Sequence, residues 1–363
     1  MVLSNRVLTN FLLFKNKACD MRPFKYSNAS GPAAAIKAVT ANPTARYLGG
    51  GTNLVDLMKE DVMRPSELIE VTRLKFSAIE KKANGLSIGG TATNAVTANH
   101  GLVRENYPLL SMAILAGASA QIRNMATNAG NLNQRTRCTY FYDVNMPCNK
   151  REPGTGCGAL HGINKNHAIL GWSEKCVATY PSDMAVALAA LNAVVHVEGA
   201  NGAKRSIPFA EFHRLPGNHP EIDNNLKHGE FITSIELPPN HLADKSYYLK
   251  IRERSSYAFA LVSVAAALEI NGNKIKDVRI ALGGVAHKPW RATIAEQLLM
   301  GKEATEANFK AAALAELKNA KPLGQNKYKV GLAAKAIVRA LEGAMQGGTY
   351  GAMEAGSTTT NQN

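Results

Sequence analysis

Four thiols fall within 39 residues of this chain: Cys138, Cys148, Cys157 and Cys176, out of five cysteines in 363 residues. They are separated by 9, 8 and 18 residues, and the first three lie in "RTRCTYFYDVNMPCNKREPGTGCGAL" among Pro147, Pro153, Gly154, Gly156 and Gly158. Two disulfides would suit an exported protein, zinc prefers closer C-x-x-C pairs, and an iron-sulfur cluster accepts four thiolates from a long glycine-rich loop. Spacing leaves all three open, with idle thiols as the plainest alternative. Cys19 stands apart with no partner in any of these schemes. His161 and His167 flank the loop, but a lone histidine in such a place is ordinarily a packing or surface residue, and neither is assigned.

Two other short stretches carry polar donors at useful spacing. "ARYLGGGTNLVDLM" places Gly49, Gly50 and Gly51 straight after a short apolar strand and just before a helix-like segment. Consecutive glycines let a backbone approach a ligand closely, and a run of free N–H groups at a helix start forms an anion site suited to phosphate. The stretch fits neither G-x-G-x-x-G nor the P-loop. "RNMATNAGNLNQ" from Arg123 to Gln134 adds Thr127, Asn128 and Asn131 around Gly130. Read alone it is an Asn-rich turn; together, two donor-rich loops suit a pyrophosphate.

The elements that must hold these loops are mixed. Leu86 to Gly90, Ala193 to Ala200 and Phe231 to Pro238 have strand character, the last two with the β-branched alternation of half-buried strands. "DMAVALAALNA" after Pro181 is a helix, with Ser182 or Asp183 as its cap. "LPPNHLADKSYY" breaks the pattern near residue 240, and a second domain follows with strands at Tyr247 to Arg252, Phe259 to Leu268 and "DVRIALGGVA", then alanine-rich helices from Glu303 to Ala344. The expected divisions are an extension over 1–20, whose short apolar run makes a poor export signal, domains over 21–240 and 246–344, and a disordered tail over 345–363. The length suits two or three domains at roughly 150 residues each. The net charge of +14 comes from scattered Lys and Arg with no nucleic-acid recognition motif, and no stretch is long and apolar enough to span a membrane.

Taken in order, "GGTNL", "QIRNMATNAGN", "PSDM", "YLKIRERSSYAFALVSVA" and "ALGGVAHKPWR" resemble the flavin-binding subunits of the molybdenum hydroxylases, the xanthine dehydrogenase and carbon monoxide dehydrogenase medium-subunit family. The resemblance runs from Met21 to about Ala344 and is greatest to the flavin subunits of bacterial periplasmic aldehyde oxidoreductases. It implies an α+β chain: an FAD-binding domain of the vanillyl-alcohol-oxidase (PCMH) type in two α/β subdomains, then a CO-dehydrogenase-flavoprotein C-terminal domain of a three-stranded sheet and a helical bundle. By the same resemblance Arg46, Tyr47, Leu48, Gly49, Gly50, Gly51, Thr52, Asn53 and Leu54 wrap the FAD pyrophosphate, and Gly117, Ala118, Ala126, Thr127, Asn128, Gly130 and Asn131 complete the grip. Asp183 would hold polar atoms of the FAD, Ile232 would pack against it, and Lys250 would supply a nearby cation.

About fifty residues separate Asn131 from Asp183, where many members of this family have few. The aldehyde oxidoreductase subunits, like the similar subunit of hydroxybenzoyl-coenzyme A reductase, carry a four-cysteine insertion there that holds a [4Fe-4S] cluster. The resemblance therefore implies that Cys138, Cys148, Cys157 and Cys176, in an insertion over about 133–180, are cluster ligands. Arg135, Arg137, Lys150 and Arg151 would balance its charge. It further implies an electron-transfer subunit of a periplasmic heterotrimer, with the molybdenum cofactor and [2Fe-2S] clusters on partner chains and no catalytic acid, base or nucleophile here. Two rival classes are a self-contained flavin oxidase, with Tyr257 of "SSYAFA" against a flavin face or, more simply, in a core strand, and a basic nucleic-acid-binding protein with a four-cysteine zinc site.

Overall fold

The computed structural model describes residues 21–347; the expectations for Cys19, for 1–20 and for the end of the tail lie outside them. Twelve strands run in chain order: β1 (Lys25–Asn28), β2 (Arg46–Leu48), β3 (Glu67–Glu70), β4 (Ile79–Lys82), β5 (Gly85–Gly89), β6 (Val194–Glu198), β7 (Lys204–Pro208), β8 (Phe231–Leu237), β9 (Ser246–Ile251), β10 (Val262–Asn271), β11 (Lys274–Gly283) and β12 (Trp290–Arg291). They make a parallel sheet in the order β1-β3-β2, an antiparallel sheet β4-β5-β8-β6-β7, and an antiparallel sheet β12-β11-β10-β9. The first two sheets are the two α/β layers that the resemblance implied. The third has three substantial strands and a two-residue edge.

Periodicity explains how the third sheet joins the rest. In β10 the side chains alternate between two cores, as strand geometry requires. Ala265 and Ala267 pack in a core with Met184, Leu188 and Leu191, whereas Val262, Val264, Ala266 and Leu268 pack with Phe309, Ile337 and Leu341. The helix Asp183–Ala190 covers one face and the helix Tyr328–Met345 the other. β10 therefore reads as a nearly continuous apolar run, the mark of a strand buried on both faces.

Register then fixes what the neighbouring strand presents. Tyr248 pairs with Ala265 and Lys250 with Ser263, so both side chains of β9 lie on the face turned toward the helix Asp183–Ala190. Ser182 caps that helix, its Oγ accepting from the Ala185 N–H at 3.0 Å. Asp183 is thereby set in the first turn, where a carboxylate suits the helix dipole.

Candidate functional site

The two donor loops meet face to face. A Cβ on Gly49 would lie 2.6 Å from Thr127 Oγ1, and one on Gly50 would lie 1.7 Å from the Met125 carbonyl oxygen. These glycines let one loop press its backbone on the other, and Gly51, at φ +72°, makes the turn into the helix Leu54–Lys59. The N–H groups of Gly50, Gly51, Thr52 and Asn53 take no backbone carbonyl of the described residues. They form the kind of donor run that accepts an anion.

A cavity of about 810 Å³ opens beside this junction, within the range of small-molecule and cofactor sites. Of the residues named from sequence as FAD contacts, Thr52, Asn53, Gly117, Ala118, Ala126, Gly130, Asn131 and Asp183 line it. Gly49, Gly50 and Gly51 form the loop junction at its edge, and the other named contacts stand behind the wall. Arg46 donates to the carbonyls of Pro43 and Ala45, and Tyr47 to that of Gly229 at 2.7 Å. Leu48 ends β2, Leu54 begins its helix, and Ile232 is buried in the core strand β8. Thr127 caps the helix Asn128–Leu132 by accepting from the Gly130 N–H.

Asn128 is fully buried and its amide is spent within the protein. It donates to Gly89 O at 3.2 Å and Thr97 Oγ1 at 2.8 Å, and accepts from Asn94 at 2.9 Å. Asn131 in turn donates to Asn94 Oδ1 at 2.7 Å and accepts from Ser182 Oγ at 2.5 Å. This amide network ties the second loop to the helix that begins at Asp183. It orients the wall of the cavity, and all but the cavity-facing surface of Asn131 is already committed.

Lys250 differs from the expectation of a cation offered to the cofactor. Its ammonium donates to Asp183 Oδ2 at 2.8 Å and to Ala116 O at 3.0 Å, with side-chain exposures of 4% for Lys250 and 7% for Asp183. Tyr248, a residue the sequence reading passed over, donates its hydroxyl to the other carboxylate oxygen at 2.7 Å. Asp183 faces the cavity while Lys250 stays behind it. Gly117 leaves room for that carboxylate, since a Cβ there would come within 3.1 Å of Asp183 Oδ2, and Ala118 turns the chain at φ +54°.

Tyr257 is also placed differently from a core strand residue. β10 begins only at Val262, and Tyr257, at φ +48° and 60% exposed, lies in the connection from β9. Tyr257, Phe259 and Leu261 line the cavity, as does Arg123, which donates to Gly117 O at 2.7 Å. Tyr257, Phe259 and Leu261 alternate with alanines in the manner of a strand, but the pairing with β9 starts only at Val262.

The four cysteines come together. Cys138, Cys148, Cys157 and Cys176 line one small cavity of about 10 Å³, and none is in a disulfide. Cys148 and Cys157 face each other across an isolated antiparallel bridge. Arg151 shapes the loop by donating to the carbonyls of Tyr140 at 2.7 Å and Phe141 at 2.9 Å. As the side chains stand, no group of three or more Cys, His, Asp or Glu among the described residues is arranged to hold a metal ion. Burial pushes the Cys138 and Cys176 thiols up to about 12, so they are protonated in the absence of a bound cation.

Of the four cations thought to balance charge, only Lys150 lines the cysteine cavity. Its ammonium is ion-paired with Asp223 and donates to Pro220 O at 2.8 Å, with His287 Nε2 at 2.9 Å. Arg135 holds the same carboxylate from its other oxygen at 2.7 Å, and these cations keep Asp223 well below the usual carboxylate range despite its burial. Arg137 pairs instead with Asp56 at 3.0 Å. Lys150 and Arg135 thus belong to a fixed network around Asp223, while Lys175, which also lines the cysteine cavity, is exposed.

His213 gives this region a pH dependence. Its Nε2–H donates to Leu132 O at 2.9 Å, its ring packs 4.3 Å from that of Tyr180, and its Nδ1 has no partner. Burial pushes it down to about 4, with Lys288 adding to the shift and the Leu132 carbonyl and Asp223 opposing it. Because the unfolded imidazole titrates near 6.5, the unfolded chain binds more protons between pH 6.5 and 4, and stability falls as pH falls through that window. We expect His213 to contribute up to about 1.4 kcal/mol per pH unit there. Urea midpoints at pH 7 and 5 for the native chain and His213→Gln check this: the variant should show a shallower decline.

A cavity whose wall is two interlocked backbone loops, an N–H run and a helix-start carboxylate defines a protein built to hold a large anionic cofactor. Comparison with known proteins specifies which kind. Residues 22–240 match the family model of the FAD-binding domain in molybdopterin dehydrogenase, and 247–344 match that of the CO dehydrogenase flavoprotein C-terminal domain. The aldehyde oxidoreductase FAD-binding subunit PaoB of Escherichia coli is 47% identical over 323 residues, covering 88% of this chain and 98% of that one. The glyceraldehyde dehydrogenase medium chain of Sulfolobus acidocaldarius is 28% identical, covering 77% and 82%. The fold is also that of a chain in carbon monoxide dehydrogenase from Hydrogenophaga pseudoflava, with a TM-score of 0.71 at 23% identity over 90% of this chain and 98% of that one. The chain belongs to the FAD-binding subunits of the xanthine dehydrogenase family, and it is a flavin subunit of an oxidoreductase.

Proposed function

We propose that this chain is the electron-transfer subunit of a molybdenum-dependent aldehyde oxidoreductase, holding FAD in the large cavity and a [4Fe-4S] cluster on Cys138, Cys148, Cys157 and Cys176. Bound there, FAD supplies two-electron chemistry that can be released in single steps. The chain's own residues bind and orient it. The N–H groups of Gly50 to Asn53 and the loop through Ala126 to Asn131 receive the pyrophosphate, and Asp183, fixed by Lys250 and Tyr248, accepts from polar groups of the cofactor. The buried amide network holds the polar wall in place, and Phe259 and Leu261 supply an apolar stretch of it.

The observation that carries the cluster reading is the convergence of four unpaired thiols, from four separate turns of one loop-rich segment, on a single cavity beside the flavin site. Four thiolates are the donor set such a cluster takes. The buried Lys150 network beside the thiols would offset the cluster's negative charge. The identity to an aldehyde oxidoreductase FAD-binding subunit supports the substrate class, the molybdopterin dehydrogenase family model supports a molybdenum partner, and the heterotrimer with a [2Fe-2S] chain and the periplasmic location are part of the same proposal. Held in the large cavity, FAD would supply the means to pass electrons received from those partners to an acceptor.

The ultraviolet-visible spectrum and iron content of the purified protein test this, beside Cys148→Ser. We expect flavin bands with a broad iron-sulfur shoulder and about four irons, the shoulder and the iron both lost in the variant. Flavin with no iron would remove the cluster and leave the flavin assignment standing.

A further inference from the structure

The large cavity and the cysteine cavity share a wall. Cys138 lines both, and it is the one of the four thiols to do so. Against its sulfur stands His167, Nε2 to Sγ 3.2 Å, which also lines the large cavity. Among the described residues, no other side-chain nitrogen hydrogen-bonds to any of the four sulfurs.

Although it lies in a loop, His167 is held in place. It is buried, 7% exposed, and its backbone is pinned from the C-terminal helical layer. Asn326 donates to the carbonyls of His167 and Ala168 at 3.1 Å each, and the Lys329 ammonium donates to those of Asn166 and His167 at 3.1 Å and of Gly284 at 2.6 Å. Lys329 is itself fully buried. Three side chains from one helix and its approach, Gln325 included through its bonds with Asn164, hold the segment so that the imidazole has one place to go.

The tautomer follows from the acceptor. A metal-bound thiolate offers lone pairs and no proton, so the contact is favourable only with the hydrogen on Nε2, donated to sulfur. Nδ1 is then a bare acceptor, and it is the atom that is buried without a partner. Hydrogen bonds to cluster sulfurs are among the levers that set reduction potential, because they favour the more negatively charged, reduced state. Building on the cluster reading above, we propose that His167 is a positioning residue for that site: its Nε2–H donates to the Cys138 sulfur on the side facing the flavin and raises the potential of the cluster.

The test is a redox titration of the intact complex followed by low-temperature electron paramagnetic resonance, comparing the native chain with His167→Leu and His167→Gln, with iron and flavin counted in each. With about four irons retained, His167→Leu should shift the reduction equilibrium at least tenfold toward the oxidised cluster, about 59 mV for a one-electron couple. His167→Gln, which restores an N–H donor, should recover part of the shift. A full iron content with an unmoved potential in His167→Leu overturns the proposal and leaves the cluster in place. A native protein without iron overturns the cluster reading itself, and this inference with it. Should the leucine variant not load iron, pulsed resonance on native protein labelled with 15N-histidine decides: a nitrogen coupled to the reduced cluster supports the bond, and its absence overturns it.

Discussion

Lys250→Met should lower the free energy of unfolding by about 3–5 kcal/mol, the usual cost of leaving one partner of a buried ion pair uncompensated. The ammonium lies 2.8 Å from Asp183 with both side chains almost wholly out of water, and Tyr248 is the one remaining donor to that carboxylate. An unpaired carboxylate in this position must either bind a proton or draw water into the core. Asp183→Asn combined with Lys250→Met should cost much less than the two single losses summed, because neither charge is then stranded. Urea unfolding of the three variants measures this. A loss under about 1 kcal/mol for Lys250→Met, the range of exposed pairs, would mean that water reaches the pair. The same variant should retain less FAD after gel filtration, since the carboxylate's orientation toward the cavity depends on what stands behind it.

Gly50→Ala should abolish stable FAD retention. The added methyl would sit 1.7 Å from the Met125 carbonyl oxygen and 2.4 Å from its carbon, both backbone atoms that cannot rotate away. The loops must part, which costs about 1–3 kcal/mol of the kind overpacked cores lose, and the cost falls on the very junction that presents the N–H run. At least a tenfold weakening of FAD binding, about 1.4 kcal/mol, is expected. Gly324→Ala, where nothing lies within 4 Å of the new Cβ, is the control and should bind normally. Flavin fluorescence on titration with FAD compares them, and equal affinities would show that the two loops do not need their present contact.

The difference between Gly50 and Gly324 also marks what could be read from the sequence. That "GGG" followed by a helix-like segment forms a tight turn with free donors was legible, because glycine runs have few other uses. What the glycines press against was not legible, because Met125 lies some seventy-five residues away and nothing local marks the contact. The helix after Pro181 and its Ser182 cap follow from a local pattern, and so do the alternating strands β6 and β8. Lys250 is the opposite case. Its type suggested a cation near an anionic cofactor, but only the register of β9 on β10 reveals that its partner is Asp183, and that Tyr248, two residues earlier, shares the task. Period 2 was the available signal: any residue two places from Lys250 faces the same way. His167 escaped for a related reason, since a histidine 29 residues from Cys138 acquires meaning only after the loop has closed.

The strand β10 has a further consequence. One of its faces completes the core that carries the helix beginning at Asp183, and the other completes the C-terminal core. The two segments that the family models match, 22–240 and 247–344, are therefore not units that can simply be taken apart. Cut free of β9 and β10, the first half would bare the apolar flank of its own cofactor-holding helix and leave a carboxylate in that flank without its cation. The boundary near residue 240 between the two matched segments thus runs through a shared core.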